Sequence, residues 1–149
     1  MKSSTLFIVL SLAAGLVIPL QGALNGILGK QMNHPLQATF ISFLGGVFFL
    51  FILLIIINPD IPTWSMLKSN PWYIYTGGFL GVIFVTMALL SVPIIGAGNF
   101  LAAALTGQMV GAIIIDHFGI LNVPVQPITW TRVLGVLFLF LGVYLVKRG

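Results

Sequence analysis

Five apolar runs of about twenty residues, near 6–28, 35–57, 72–92, 96–115 and 129–146, dominate the chain and leave few folds open to it. Crossing about 30 Å of hydrocarbon takes roughly 20 helical residues. No water is present there to satisfy backbone N–H and C=O groups, so a spanning segment must be a helix or part of a closed barrel. Barrel strands need only about 9–11 residues, so these lengths select helices. The expected fold class is an all-α membrane protein with five transmembrane helices in a single transmembrane domain over residues 1–149. Composition agrees: 59% of the 149 residues are hydrophobic and 5% charged, against roughly 25% charged in soluble domains. The longest polar interruption, Asn58 to Pro71, leaves no room for a sizeable soluble domain. Lys2 followed by an apolar run is how a signal peptide begins. This run, however, continues through Leu28, beyond an h-region of roughly 7–15 residues, and has no A-x-A site, so it is read as a retained span.

Turn chemistry separates the runs. Pro35 suits the first turn of the second helix. Pro59, Pro62 and Pro71 mark a loop, and Gly119 to Pro127 is the last one. Trp64, Trp72, Tyr73, Trp130 and Tyr144 fall near segment ends, where aromatic belts sit. The net charge of +4 comes from six Lys and Arg scattered at segment ends, a pattern of snorkelling side chains and not of a nucleic-acid surface. With no cysteine, disulfides and thiolate metal sites are excluded.

Orientation is unusually balanced. Five crossings put Lys2, Lys68 and Arg132 on one side and Lys30, Lys147 and Arg148 on the other, so the excess of positive charge that fixes topology is absent. Two readings fit this balance. Either the first helix or the insertion machinery decides the orientation, or the chain inserts both ways and pairs antiparallel as a homodimer. The second arrangement would reproduce with two copies what inverted repeats achieve in one chain.

The stretch Gly15 to Gly29, GLVIPLQGALNGILG, carries more polarity than an anchor needs. Pro19 removes a backbone donor. Gln21 and Asn25, four residues apart, point the same way. Gly22 and Gly26 form a small-xxx-small pair that admits another helix. Further polarity at membrane depth is neutral: Ser42 and Thr86, then Asn99, Thr106 and Gln108 in the fourth run. Buried carboxamides need partners, so their concentration in the first and fourth runs predicts a substrate pathway through Pro19, Gln21, Asn25, Ser42, Asn99, Thr106 and Gln108. Interhelical packing bonds are the competing use of the same amides. Gly77 and Gly81, and Gly107 and Gly111, predict close helix packing. Gly135 and Gly142, seven apart in an otherwise apolar last helix, predict a lipid-exposed face or a dimer contact.

Chemistry of an enzymatic kind has little to work with. The chain holds two carboxylates, Asp60 and Asp116, and two histidines, His34 and His117, with no metal-ligand spacing and no Gly-rich phosphate loop. No cofactor and no catalytic residue is expected. Asp60 lies in a turn, and His34 precedes Pro35 as a helix cap. Asp116 opposes the dipole of the helix it ends and needs a partner. Arg132 is the cation available on that side, which predicts an interfacial pair with His117 in the headgroup region. The alternative makes Asp116 and His117 an ion or proton site at one mouth of a pathway.

PLQGALNG in the first run, HPLQATFISFLGG opening the second, and GQMVGAIIIDHFG followed by a Pro-rich loop and Arg132 together resemble the YdcZ-like family of small bacterial inner-membrane proteins. That family lies within the drug/metabolite transporter superfamily, and the similarity covers nearly the whole chain. The resemblance implies a multi-pass inner-membrane protein similar to half of a ten-helix transporter, acting as a paired assembly. The four-helix small multidrug exporters of the same superfamily are built around an acid in the first helix. Here that helix has Gln21 and Asn25 instead, so their acidic switch has no counterpart in it. The expected function is secondary transport of small polar or amphipathic solutes by a homodimer in the lipid bilayer. A non-transporting membrane subunit that assembles with or regulates another membrane protein is the second reading.

Overall fold

The structure, a computed structural model, describes residues 2–148, with side chains from Thr5 onward. The side chain of Lys2, counted above for orientation, lies outside the described residues. Six α-helices follow one another: α1 (Lys2–Gln31), α2 (Pro35–Ile57), α3 (Trp64–Ser69), α4 (Gly77–Ile95), α5 (Ala97–Phe118) and α6 (Trp130–Arg148). A 3-10 turn, Trp72–Thr76, leads into α4, and a second one, Ile120–Asn122, follows α5. No strand occurs among the described residues. Five helical segments are long and apolar enough to cross a membrane: Thr5–Gln31, Pro35–Ile57, Trp72–Ile95, Ala97–Phe118 and Trp130–Arg148.

Two of the departures from the sequence expectation have plain physical reasons. The stretch from Asn58 to Pro71 is not all loop. Thr63 accepts the Met66 N–H at its hydroxyl and so caps the short helix α3, whose Lys68 ammonium lies 5.3 Å above the Trp64 ring. The Tyr75 hydroxyl donates to the Leu67 carbonyl at 2.8 Å and ties α3 to the start of the third span. The third span also runs past Val92 through Pro93 to Ile95. Proline costs a helix the bond to the residue four back, and one turn from the end that loss is cheap. A single residue, Gly96 at φ 81, then separates α4 from α5.

Contacts divide the chain into two units, residues 1–90 and 91–149. In the first, α1 and α2 are joined by a three-residue link, and His34 starts α2 by accepting the Leu36 N–H at Nδ1. Asn58 ends α2 in the left-handed region. Packing is dense at one end only. A Cβ on Gly29 would lie 2.9 Å from Leu89 Cδ2, and one on Gly81 would lie 3.4 Å from the Phe43 ring. Thr39 and Thr86 hydroxyls meet at 3.2 Å, while Thr39 also faces its own Pro35 carbonyl at 3.2 Å. Contact positions rise along α2 as they fall along α4, so these helices run antiparallel. Ala38, Thr39, Leu89 and Asn25 are the buried residues of this unit among those described.

The Thr39–Thr86 bond joins two spans of this unit, and Thr39 is only 2% exposed. Replacing either threonine by the isosteric valine removes it without a cavity. A double-mutant cycle in SDS titrations is expected to give a coupling of about 0.6 kcal/mol, up to ~1.7 kcal/mol, the span found for interhelical bonds in membranes. A coupling indistinguishable from zero would leave the pair as bystanders.

In the second unit α5 and α6 lie against each other over much of their length. A Cβ on Gly98 would lie 3.9 Å from Val146 at one end, and Asp116 meets Arg132 at the other, so the two helices are antiparallel. Thr106 is the buried residue here among those described, with its hydroxyl donating to the Ala102 carbonyl of its own helix.

Candidate functional site

Helix α1 runs unbroken through Pro19. Gln21 is exposed, whereas Asn25, one turn on, is 8% exposed. They share a side of the helix, and the difference arises because α1 is covered only towards its C-terminal end, where Gly29 meets Leu89. Among the described residues, nothing comes within 4 Å of a Cβ placed on Gly15, Gly22 or Gly26. The small-residue face of α1 is thus open, with the Gln21 amide standing beside it.

The remaining neutral groups are spread out. Ser42 is half-buried on α2. On α5, Gln108 is exposed and Thr106 is satisfied within its own helix. Asn99 donates from Nδ2 to the Ile95 carbonyl at 2.8 Å, which leaves its buried Oδ1 without a partner. Asn99 and Lys147 border a cavity of about 440 Å³ between α5 and α6. Gly77, Gly107, Gly111, Gly135 and Gly142 likewise have no heavy atom within 4 Å of an added Cβ, whereas Gly81 packs against Phe43 as Gly29 does against Leu89.

The densest polar structure lies where α5 ends and α6 begins. An acid in the last turn of α5 and a cation in the first turn of α6 each oppose their own helix dipole. Facing each other, they offset both penalties: Arg132 Nη2 lies 3.1 Å from Asp116 Oδ2, with each side chain 27% exposed. Gln126, in the intervening loop, binds the pair from three directions. Its N–H donates to the Asp116 carbonyl at 2.9 Å, its carbonyl accepts from Arg132 Nη1, and its Oε1 accepts from Arg132 Nη2. His117 accepts the Ile128 N–H at Nδ1 and meets Phe118 edge-on, so it fastens the returning loop. Gly119 makes the turn possible, at φ 60 in the left-handed region. The sequence reading did not single out Gln126. Its signal was its setting, a lone amide between Pro124 and Pro127, which hold the loop extended against the helix end.

This knot closes one mouth of a groove of about 330 Å³. Met109, Ala112 and Ile113 line it on α5, and Gly135, Val136 and Leu139 line it on α6. Their spacing of three and four residues is that of one helix face on each side. The structure therefore brings Asp116, His117 and Arg132 together. His34 and Asp60 stand apart, His34 capping α2 and Asp60 in the loop after it. Among the described residues no three His, Cys, Asp or Glu side chains are grouped to hold a metal ion.

Comparison with known proteins bears on what such an arrangement does. Residues 6–145 match the family described as "Putative inner membrane exporter, YdcZ". The chain is 25% identical over 138 residues to the inner membrane protein YdcZ of Escherichia coli (strain K12), covering 92% of this chain and 91% of that protein. No solved structure matches. Because the family match reaches into all five spans and the relative is an inner membrane protein, the chain is a multi-pass inner-membrane protein and belongs to the YdcZ family.

Proposed function

We propose that this protein exports small polar or amphipathic solutes across the inner membrane, working as a pair of identical subunits. Membership of a family described as an inner membrane exporter supports a transporter role. The observation that carries the reading is the uncovered side of α1. An exposed amide, Gln21, sits two residues after a proline in a membrane-length helix, beside glycines where an added Cβ would meet nothing within 4 Å among the described residues. A polar group on a lipid-facing surface is unfavourable, so a second subunit or a solute route is the natural cover for it. Pro19 weakens the helix at that level and lets it bend. Asn25 and Gln108 supply further amide groups, and balanced Lys and Arg counts on the two sides are compatible with an antiparallel partner.

Gln21→Ala is expected to cut solute uptake into inverted membrane vesicles by about tenfold, as loss of one hydrogen bond made only along the route would. Dimer yield should be unchanged. If uptake and dimer fall together, Gln21 is a packing residue. If the wild type moves no solute of a broad panel yet co-purifies with a fixed partner, the protein is an accessory subunit. The absence of native cysteine makes single-cysteine labelling of each end clean. Labelling of the C-terminus from one side only would sink the antiparallel arrangement.

A further inference from the structure

We propose that the groove between α5 and α6 is a binding site for a bilayer phospholipid with a zwitterionic, primary-ammonium headgroup. The groove runs from Asp116 and Arg132 at the membrane boundary to Met109 and Leu139, seven residues along each helix, or about 10 Å at 1.5 Å per residue. Its walls are aliphatic or thioether side chains and one glycine, which suits the upper part of an acyl chain. Its mouth is a pair of opposite charges, each 27% exposed and open to a headgroup.

The chemistry of that mouth selects the head. Arg132 gives one Nη1 and one Nη2 hydrogen to Gln126 and pairs through Nη2 with Asp116, leaving Nε–H and one Nη1 hydrogen. Those two donors lie on opposite edges of the guanidinium, and each can bind a single phosphate oxygen. A headgroup carrying only negative charge would place it beside the Asp116 carboxylate, 3.1 Å from the same guanidinium. A zwitterion avoids that repulsion, because its ammonium can approach Asp116 while its phosphate takes Arg132. Asp116 Oδ1 has no hydrogen bond among the described residues and accepts an N–H, which a primary ammonium has and a quaternary ammonium lacks. Charge complementarity therefore favours ethanolamine-type over choline-type and over glycerol-type heads.

Gly135 provides the means of testing the tail site. It lines the groove, and a Cβ there meets nothing within 4 Å, so a leucine can fill the space without striking the protein. Full-length protein would be purified in detergent with an equimolar mixture of palmitoyl-oleoyl phosphatidylethanolamine, phosphatidylcholine and phosphatidylglycerol, and retained lipid read by native mass spectrometry. The wild type is expected to keep phosphatidylethanolamine over each of the others by about tenfold, the effect of one charge-assisted hydrogen bond. Gly135→Leu should lose that retention, and Gly142→Leu, on the same helix outside the groove lining, should keep it. Equal retention of the three lipids by the wild type overturns the proposal whether or not the variants fold. So does a Gly135→Leu variant that changes the monomer-to-dimer ratio and leaves lipid retention intact, since the groove would then belong to a second copy.

Discussion

Arg132→Ala is expected to destabilise the α5–α6 pair by about 1–3 kcal/mol in SDS titrations, because it removes an ion pair and two further hydrogen bonds at once. Side chains at 27% exposure lie between two regimes: surface pairs are worth about 0–1 kcal/mol, and breaking a fully buried pair costs about 3–5 kcal/mol. Two comparisons separate charge from geometry. Arg132→Lys keeps the charge but loses the planar fork that reaches Gln126 Oε1 and Asp116 Oδ2 together, so it should fall between wild type and alanine. Asp116→Ala removes the ion pair but leaves both Arg132 bonds to Gln126, so it should cost less than Arg132→Ala, and the double alanine variant should cost less than the sum of the two. Additive single effects would mean that the pair contributes nothing as a pair.

The second large effect is expected at Gly119. Its φ of 60 lies where an L-residue with a Cβ pays about 1–2 kcal/mol. The new Cβ would also stand 2.8 Å from Val125 Cγ2, on the return strand of the same loop. Overpacking of that kind costs about 1–3 kcal/mol. Gly119→Ala should therefore destabilise the protein by about 2–5 kcal/mol. Adding Val125→Ala removes the obstructing methyl and should restore the packing share only, leaving the backbone share in place. The loop has little tolerance left, since Leu121 and Asn122 already hold φ of 61 and 62 without being glycine. Full recovery in the double variant would show that the backbone conformation is not under strain at 119.

Span number and placement could be read from the sequence because length and apolarity decide them residue by residue. The second span, Pro35 to Ile57, matches its expected ends because His34, Pro35 and Asn58 announce them with local cap chemistry. The fourth and fifth spans shift by two or three residues where such signals are weaker. Helix α3 was hidden within a proline-rich stretch, its evident mark being Thr63 ahead of a Trp and a Lys four residues apart. The Asp116 and Arg132 contact followed from dipole opposition, a short-range argument that needs no tertiary model. Gln126 did not, because its role depends on how the loop returns. The difference between Gln21 and Asn25 could not be read either: identical chemistry and spacing place them on one side, and only the position of Leu89 against Gly29 tells which one is covered.

The small number of buried side chains bears on how far a sequence of this kind can drift. Where a span has only to be apolar and long enough, Leu, Ile, Val and Phe can replace one another with little consequence. Ancestry then leaves its mark at positions where helices meet or ends are tied. A relative that matches 92% of the chain at 25% identity is what such a fold permits. Shared residues should collect at Asn25, Gly29, Thr39, Asp116, Gly119 and Arg132, and be sparse along the middles of α2 and α6.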